Sequence, residues 1–576
     1  MRFILIITTA LTAILCLPVS ATIINVPDDY GTIQEGIDAS FDDDTVLVSS
    51  GTYSGTGNIN LATNGKAILV KGETGAIIDG QSQDVYGFYL NETDEDTTTI
   101  IDGFTIMNTE DGMRLYLASP KLINLNLTSN TAHGVHSMLM TSPSIENCEF
   151  ADNLNGVGIT SEWGNSGATI INCSFQNNSL GINIGDRASS FIRGCTFEGN
   201  GTGIDANNPL YESGCTVDSC SFINNGGALA GGFTLTNSYI ADGVAGMAGD
   251  LFGSGSEYYV SNCLIENMSG RVFSGTGYNA LVSNCIIRNN TGQIARVGQE
   301  RRLEFNNCQF YGNTGEILAE YWDPRLTMTD CLYYDNNSPI TINAIEYGGL
   351  TMSGCTIYGN HCTGIDARTI ESVGWPGINI TNTIIAENDS CGFSFEYVGD
   401  PIYSISYCDF YNNAGGNYCD IPDLTGQDGN ISCNPMFCDP TNGNFYLADS
   451  SGCVGAGSDS SDIGAYGAGC GFDFEYLPGD ANMTNGAWPP EVIGGDVTYL
   501  VNYFRGLPAN PSCLLQGFWC SADANGDCLV IGSDVTRLVT YFRGIAELAY
   551  CLDYEPAWTT PEGLPMYPPP GWPNCE

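Results

Sequence analysis

The stretch IENCEFADN, Ile145 to Asn153, decides the fold because it keeps returning along the chain. It recurs as IINCSFQNN (Ile170 to Asn178), IRGCTFEGN (Ile192 to Asn200), VDSCSFINN (Val217 to Asn225), VSNCIIRNN (Val282 to Asn290), FNNCQFYGN (Phe305 to Asn313), MTDCLYYDN (Met328 to Asn336) and MSGCTIYGN (Met352 to Asn360). Aligning on the cysteine gives fourteen anchors: Phe104, Leu125, Cys148, Cys173, Cys195, Cys220, Ser238, Cys263, Cys285, Cys308, Cys331, Cys355, Thr383 and Cys408. They cover 304 residues with a mean spacing of 304/13, about 23. Each repeat carries a short apolar strand, a tight turn and a second short apolar strand. The residue before the anchor is Asn, Gly or Asp in twelve of the fourteen, types that tolerate a left-handed backbone and let the chain bend. Five residues after the anchor stands an asparagine in eleven of them, and stacked asparagines can hydrogen-bond along a column. This period and turn chemistry predict a parallel β-solenoid. Leucine-rich repeats share the period, but their leucine spacing is absent.

On these motifs the chain resembles the right-handed parallel β-helix proteins of the pectin-lyase-like superfamily, over residues 22–471. The opening VPDDYGTIQEGIDASFDDDTVLVSSGTY (Val26 to Tyr53) resembles that family's amino-terminal cap, within about 22–53. The resemblance implies a short closing helix from Thr32 to Ser40 and a first strand at Asp44 to Val48. The stretch NPMFCDPTNGNFYLADSSGCVGAGSDSSDIGAYGAG (Asn434 to Gly469) resembles the last turns, expected over about 430–470. Caps are required, because an open solenoid end exposes apolar side chains and strand edges.

Length and charge narrow the function. With 17 Lys and Arg against 65 Asp and Glu, the formal net charge is −48, and the only lysines are Lys66, Lys71 and Lys121. Such a chain cannot neutralise phosphates, so no nucleic-acid partner is expected. Yet 43% of residues are hydrophobic, too many for a disordered acidic tail. Met1-Arg2, the apolar run Phe3 to Leu17 and Val19-Ser20-Ala21 read as a signal peptide over residues 1–21. No further run has spanning length. A secreted, extracellular or surface-held monomer is expected.

Ten of the 24 cysteines hold the anchor position, where each is expected to point inward as a small, buried, free thiol. In-register neighbours on parallel strands point the same way, which disfavours disulfides between them. Cys433, Cys438, Cys453 and Cys470, near the end cap, are better disulfide candidates.

After Gly471 a different duplication begins. GDVTYLVNYFRGL (Gly495 to Leu507) and SDVTRLVTYFRGI (Ser533 to Ile545) agree at nine of thirteen positions and read as helices with an apolar face. Before the second, Asp523, Asn525, Asp527 and Asp534 fall at positions 1, 3, 5 and 12 of a loop, with the Leu529 carbonyl at position 7, a spacing that wraps oxygens around Ca2+. The first loop offers Asp480 and Asn482 but reaches Asp496 five residues late. The pair resembles a dockerin, so residues 476–555 are expected to form a small α-helical calcium-binding domain. The resemblance implies a cohesin-like protein partner. Cys528 at loop position 6 and Gly494-Gly495 and Gly532-Ser533 at positions 10 and 11 depart from the pattern. Residues 556–576 form a proline-rich tail.

The expected fold class is thus mainly β, a β-helix solenoid followed by a small helical module. Between anchors, early repeats carry glycine-led strands: GMRL, GVHS, GVGI, GINI and GIDA. If the second residue points in, the third points out and stacks Arg114, His136, Gly158, Asn183 and Asp205 in one column about 19 Å long. Arg114, His136 and Asp205 are the catalytic candidates, and Asn183, Trp322 and Trp375 the substrate-binding ones. Exposed tryptophans about 10 Å apart could stack on alternate sugars. Three functions stay open: a protein that binds polysaccharide, a polysaccharide lyase or glycoside hydrolase, and a non-catalytic structural protein or adhesin. The clustered aspartates with a histidine expected of polygalacturonase-like sites are not found in the sequence.

Overall fold

The bend before each anchor is real at every repeat. All fourteen preceding residues have positive φ, from 49° at Asn382 to 82° at Gly103, including the exceptions Ser219 and Tyr407. A second left-handed bend, not read from the sequence, lies four residues after each anchor, from Asn108 through Asp152 and Gly312 to Asn412. The two bends cut each turn into three short strands, and the fold is a mainly β, parallel β-helix. The computed structural model describes residues 21–469 apart from 93–94, 162–165, 186, 207–213, 249–257, 276–278, 299–300, 322, 345–347, 369–376 and 397–402, together with 497–498, 500–501 and 532–543. They fall into two compact units, residues 1–191 and 192–576.

In the first unit, one sheet runs from Ile23–Val26 through Thr45–Val48, Leu69–Gly72, Ile100–Asp102, Lys121–Ile123 and Ser144–Glu146, each strand parallel to the next. A second runs from Gly51–Tyr53 to Ser174–Gln176, and a third from Tyr86–Asn91 to Leu180–Ile184. The closing helix is Ile33–Ala39, with Thr32 as N-cap in a capping box with Glu35 and Ser40 as C-cap. Ile33 and Ile37 are fully buried. A Cβ on Gly36 would come within 2.9 Å of Val26 Cγ2 and 3.1 Å of Val46 Cγ1, so only glycine lets the helix lie this close to the strands. The expected first strand is in fact the second: it begins at Thr45, because the carboxylate of Asp44 closes a turn by accepting from the backbone N–H groups of Thr22 and Phe41.

The second unit is likewise built of three layers of parallel strands, with one running from Thr196–Glu198 to Asp409–Tyr411 and another from Thr202–Ala206 to Gly416–Cys419. The last turns pack Leu447, Cys453 and Ile463 beneath Ile384 and Ala386, against an antiparallel pair, Phe437–Asp439 and Asn444–Leu447.

Side-chain stacks fill the interior. The ring of Phe150 lies 4.8 Å from that of Phe175, and that of Phe197 4.6 Å from that of Phe222, each pair nearly parallel. Burying each such side chain contributes on the order of 2–3 kcal/mol. The asparagine column is a hydrogen-bonded ladder: Asn130 Nδ2 donates to Asn153 Oδ1 at 3.1 Å, and Asn153 Nδ2 to Asn178 Oδ1 at 3.1 Å. The same bond joins Asn200 to Asn225, and the ladder runs again from Asn290 through Asn313, Asn336, Asn360 and Asn388 to Asn413.

All ten anchor cysteines are buried free thiols. They are more than apolar filler, because each described anchor thiol donates to the carbonyl two residues back, as Cys148 Sγ does to Glu146 O at 3.3 Å. Ser238 and Thr383 occupy the same position and donate in the same way, at 2.7 and 2.8 Å. Outside the column, Cys438 is disulfide-bonded as expected, and Cys391 pairs with Cys419. Cys433 and Cys453 are not bonded: their sulfurs are 3.9 Å apart, and the Cys453 thiol donates to Asp409 instead. Cys470 lies outside the described residues.

Of the carboxy-terminal duplication, the helix Gly532–Phe542 is described. Val497, Thr498, Leu500 and Val501 are helical too, and Leu500 and Leu538, at equivalent places in the duplicated sequence, are both buried. Asp534 is buried in the first turn of its helix. The other proposed calcium ligands, Asp480, Asn482, Asp496, Asp523, Asn525, Asp527 and Leu529, lie outside the described residues, so a dockerin domain is not established. Among the described residues no helix is long and apolar enough to cross a membrane.

Candidate functional site

The glycine-led strands of the first unit form the outer face on which the candidate site is built. Met113, Val135, Val157 and Ile182 point into the core and are fully buried. One residue further along each strand, the expected column stands in register: Arg114 beside His136, His136 beside Gly158, and Gly158 beside Asn183. Tyr89 extends it by one strand. Glycine at the head of these strands is a packing necessity, since a Cβ on Gly134 would lie 2.6 Å from both the Gly156 carbonyl oxygen and the Phe150 ring. Asp205 belongs to the second unit, on Thr202–Ala206, in register with Ala230. Trp322 and Trp375 lie outside the described residues.

A neighbouring column, one residue before each glycine, changes the chemistry of this face. Tyr86, Asp111, His133 and Asn155 stand in register there. The Asp111 side chain has no exposed surface, and three cationic or imidazole groups surround it. Arg114 Nε donates to Asp111 Oδ2 at 2.7 Å, and His133 Nδ1 lies 2.8 Å from Oδ1, which also accepts the His133 backbone N–H at 3.2 Å. His136 Nδ1 is 3.4 Å from Oδ2, without the alignment of a hydrogen bond. The two imidazoles stack, with ring centroids 4.0 Å apart and planes 17° from parallel. The chain has three histidines, so two of them converge on one carboxylate.

Arg114 is held from all sides. Its guanidinium carbon sits 4.2 Å from the centroid of the Tyr86 ring, a cation–π contact. It also reaches the Tyr86 hydroxyl, and Glu110 Oε1 at 3.5 Å. Burial alone would raise the Asp111 carboxyl, but the His133 and His136 imidazoles outweigh it and hold the group well below the usual carboxylate range. Burial depresses His136, against the pull of Asp111, so its imidazole is neutral at pH 7. A neutral imidazole beside a permanently ionised carboxylate can accept a proton, and His136 Nε2 on its outer edge lies 3.4 Å from Thr160 Oγ1.

Sequence reasoning placed Arg114 and His136 here but missed Asp111, His133, Tyr86 and Tyr89. The signal was available: the residue before each glycine also faces outward, and Asp111 and His133 recur at that position. Two groups of described residues bring three metal-ligating atoms within 4.8 Å of one another: Asp111, His133 and His136, and Asp409, Cys433 and Cys453.

Solved structures similar to this chain are so at low identity and low TM-score. The tailspike protein of E. coli bacteriophage HK620, in complex with a pentasaccharide, is 12% identical, with 63% of this chain and 71% of that one covered and a TM-score of 0.30. Pectate lyase Pel9A is 14% identical, with 78% and 98% covered and a TM-score of 0.21. The catalytic domain of a GH87 alpha-1,3-glucanase, in complex with tetrasaccharides, is 13% identical, with 70% of each chain covered and a TM-score of 0.28. No curated protein matches the chain by sequence. The model of the right-handed β-helix region matches residues 106–265, 228–324 and 272–426, which together span more than half of the 576 residues. Turn, ladder and three-sheet register repeat through the matched residues, and the chain belongs to the right-handed β-helix region family.

Proposed function

We propose that this is an extracellular β-helix that binds a polysaccharide along the third-sheet face of its first unit, and that its carboxy-terminal segment is a dockerin-like, calcium-binding attachment module. The observation that carries the glycan reading is the register of Tyr89, Arg114, His136, Gly158 and Asn183. Four strand spacings cover about 19 Å, the length of a short oligosaccharide. Tyr86 and Tyr89, with ring centroids 5.3 Å apart, supply the aromatic surface on which a sugar ring stacks, and the Arg114 and imidazole groups supply donors. The strongly acidic chain favours a neutral glycan or one bridged by calcium. The test is a panel of neutral and uronate polysaccharides, with Tyr89→Ala and Asn183→Ala. Binding that both substitutions weaken by about 10-fold supports the reading, and binding to no glycan, or binding insensitive to both, overturns it.

A second reading, a polysaccharide lyase or glycoside hydrolase, is favoured by the neutral His136 beside the Asp111 carboxylate. New reducing ends or unsaturated products that disappear in His136→Gln would establish it. For the attachment module, calcium titration of the full chain should show at least one site, weakened by Asp523→Ala. No calcium uptake would overturn it, and a cohesin-like partner falls with it.

A further inference from the structure

We propose that Asp111, His133 and His136 form a binding site for one divalent transition-metal ion of the zinc type. The site is independent of the glycan reading and distinct from the carboxy-terminal calcium loops. Its donor set is two imidazole nitrogens and one carboxylate oxygen, a combination that suits borderline cations such as Zn2+ and Co2+ rather than Ca2+. Both Nδ1 atoms face the same buried carboxylate, at 2.8 and 3.4 Å, and all three ligand atoms lie within 4.8 Å of one another. Ligands about 2.0–2.2 Å from a tetrahedral zinc stand a little over 3 Å apart, a spacing that side-chain adjustment within this cluster can reach.

Two further observations point to a missing ligand. His136 Nδ1 is buried and has no hydrogen-bond partner, although it lies only 3.4 Å from Asp111 Oδ2. A buried ring nitrogen in that position costs stability unless something satisfies it, and a cation on the His133 side of the carboxylate would. The scaffold is also prearranged: His133 and Asp111 are register partners on adjacent parallel strands, and the rings are already stacked. Gly158 keeps the space for the His133 ring, since a Cβ there would fall 2.4 Å from His133 Cδ2 and 2.8 Å from Nε2.

The neighbouring charges divide the work. Arg114 engages Oδ2 and Glu110, which leaves Oδ1 to the metal and makes Arg114 an outer partner that orients the carboxylate. On binding, the proton that His133 Nδ1 shares with Oδ1 passes to solvent, and the nitrogen lone pair goes to the cation. The second cluster carries no such argument, because the Cys453 thiol and the Cys433 backbone N–H already satisfy Asp409.

The test uses the full chain, stripped with chelator and then held in excess Ca2+ so that calcium loops are filled. Zn2+ titration by calorimetry should show one saturable equivalent, and Co2+ should give the intense visible bands of a four- or five-coordinate N/O site. Asp111→Asn, His133→Gln and His136→Gln should each weaken Zn2+ binding by roughly 100-fold, while His361→Gln at the third histidine leaves it unchanged. Circular dichroism of each variant shows that the β-helix persists. A Zn2+ equivalent that survives in the His133→Gln, His136→Gln double variant, or no saturable binding at all, overturns the site and marks the cluster as a hydrogen-bonded network only. Glycan binding by the metal-free protein is read separately, so either proposal can fail alone.

Discussion

Asn290 donates its side-chain N–H to Asn313 Oδ1 at 3.0 Å, and its backbone N–H reaches the same oxygen at 3.0 Å. Asn313 hands the pattern on, donating to Asn336 Oδ1 at 3.0 Å and to the Ile287 carbonyl at 2.9 Å. One fully buried amide therefore closes four hydrogen bonds. Asn313→Ala should lower stability by about 3 kcal/mol or more, because it orphans donors on one side and acceptors on the other. Asn313→Asp should cost at least as much at pH 7, since it sets a buried negative charge against the Asn336 and Ile287 oxygens. Urea melts of the two variants check this, and an Asp variant as stable as wild type would contradict the ladder.

The anchor column makes the opposite prediction. Cys331 Sγ donates to Thr329 O at 3.2 Å, the bond that Ser238 and Thr383 make with a hydroxyl in their own turns. Cys331→Ser should cost only about 1 kcal/mol, whereas Cys331→Leu should cost about 1–3 kcal/mol or more by overpacking. Burial pushes the Cys408 thiol up to about 12, so native Cys408 should ignore a thiol reagent at pH 8 and react only after unfolding.

Gly158 separates site from fold. Gly158→Ala puts a methyl where the His133 ring now lies, and a side chain can swing away at small cost to the strand. The expected result is a melting temperature within a few degrees of wild type, with shifted His133 and His136 imidazole resonances and ligand affinity reduced by about 10-fold or more. Unmoved histidine resonances would show that the glycine serves only backbone packing.

Asp409 sets a pH dependence in the second unit. Burial raises its carboxyl to about 6 from 3.8, against the opposing hydrogen bonds from Cys433 and Cys453. The folded state holds this proton more tightly than the unfolded chain. Its contribution to stability is therefore complete below pH 3.8 and lost as pH rises through 6. Asp409→Asn should remove this segment, gaining about 2–3 kcal/mol on the wild type between pH 4 and 7. Urea midpoints of the two proteins measured across that range check it, and parallel curves would contradict the assignment.

The repeated elements were legible because they are local. Asn147 and Gly194 bend the chain wherever they stand, since a left-handed backbone depends on the residue's own sterics. Thr32 and Glu35 cap the first helix by reaching three residues along the same chain. Even so, reading Asp44 as a strand residue failed, because its partners at Thr22 and Phe41 are claimed by a turn. The second bend, at Asn108, Asp152 and Asn412, went unread because the conspicuous asparagine one residue later drew the turn assignment to itself.

The sequence by itself thus determined the period, the anchor column, the inward and outward alternation, and the placing of Arg114 and His136 on one face. Periodicity in a solenoid converts directly into register, so a spacing of about 23 residues already says which side chains are neighbours. Only the tertiary structure decided that Asp111 and His133 join them. That meeting depends on the ring of His133 leaning over Gly158, and on burial that turns the Asp111 carboxylate toward Arg114, His133 and His136. The same holds for Cys433 and Cys453, whose sulfurs lie 3.9 Å apart without a bond, while the Cys453 thiol donates to the buried Asp409, a residue 44 positions away along the chain. Side-chain direction and desolvation arise between turns, where no count along one strand can reach them.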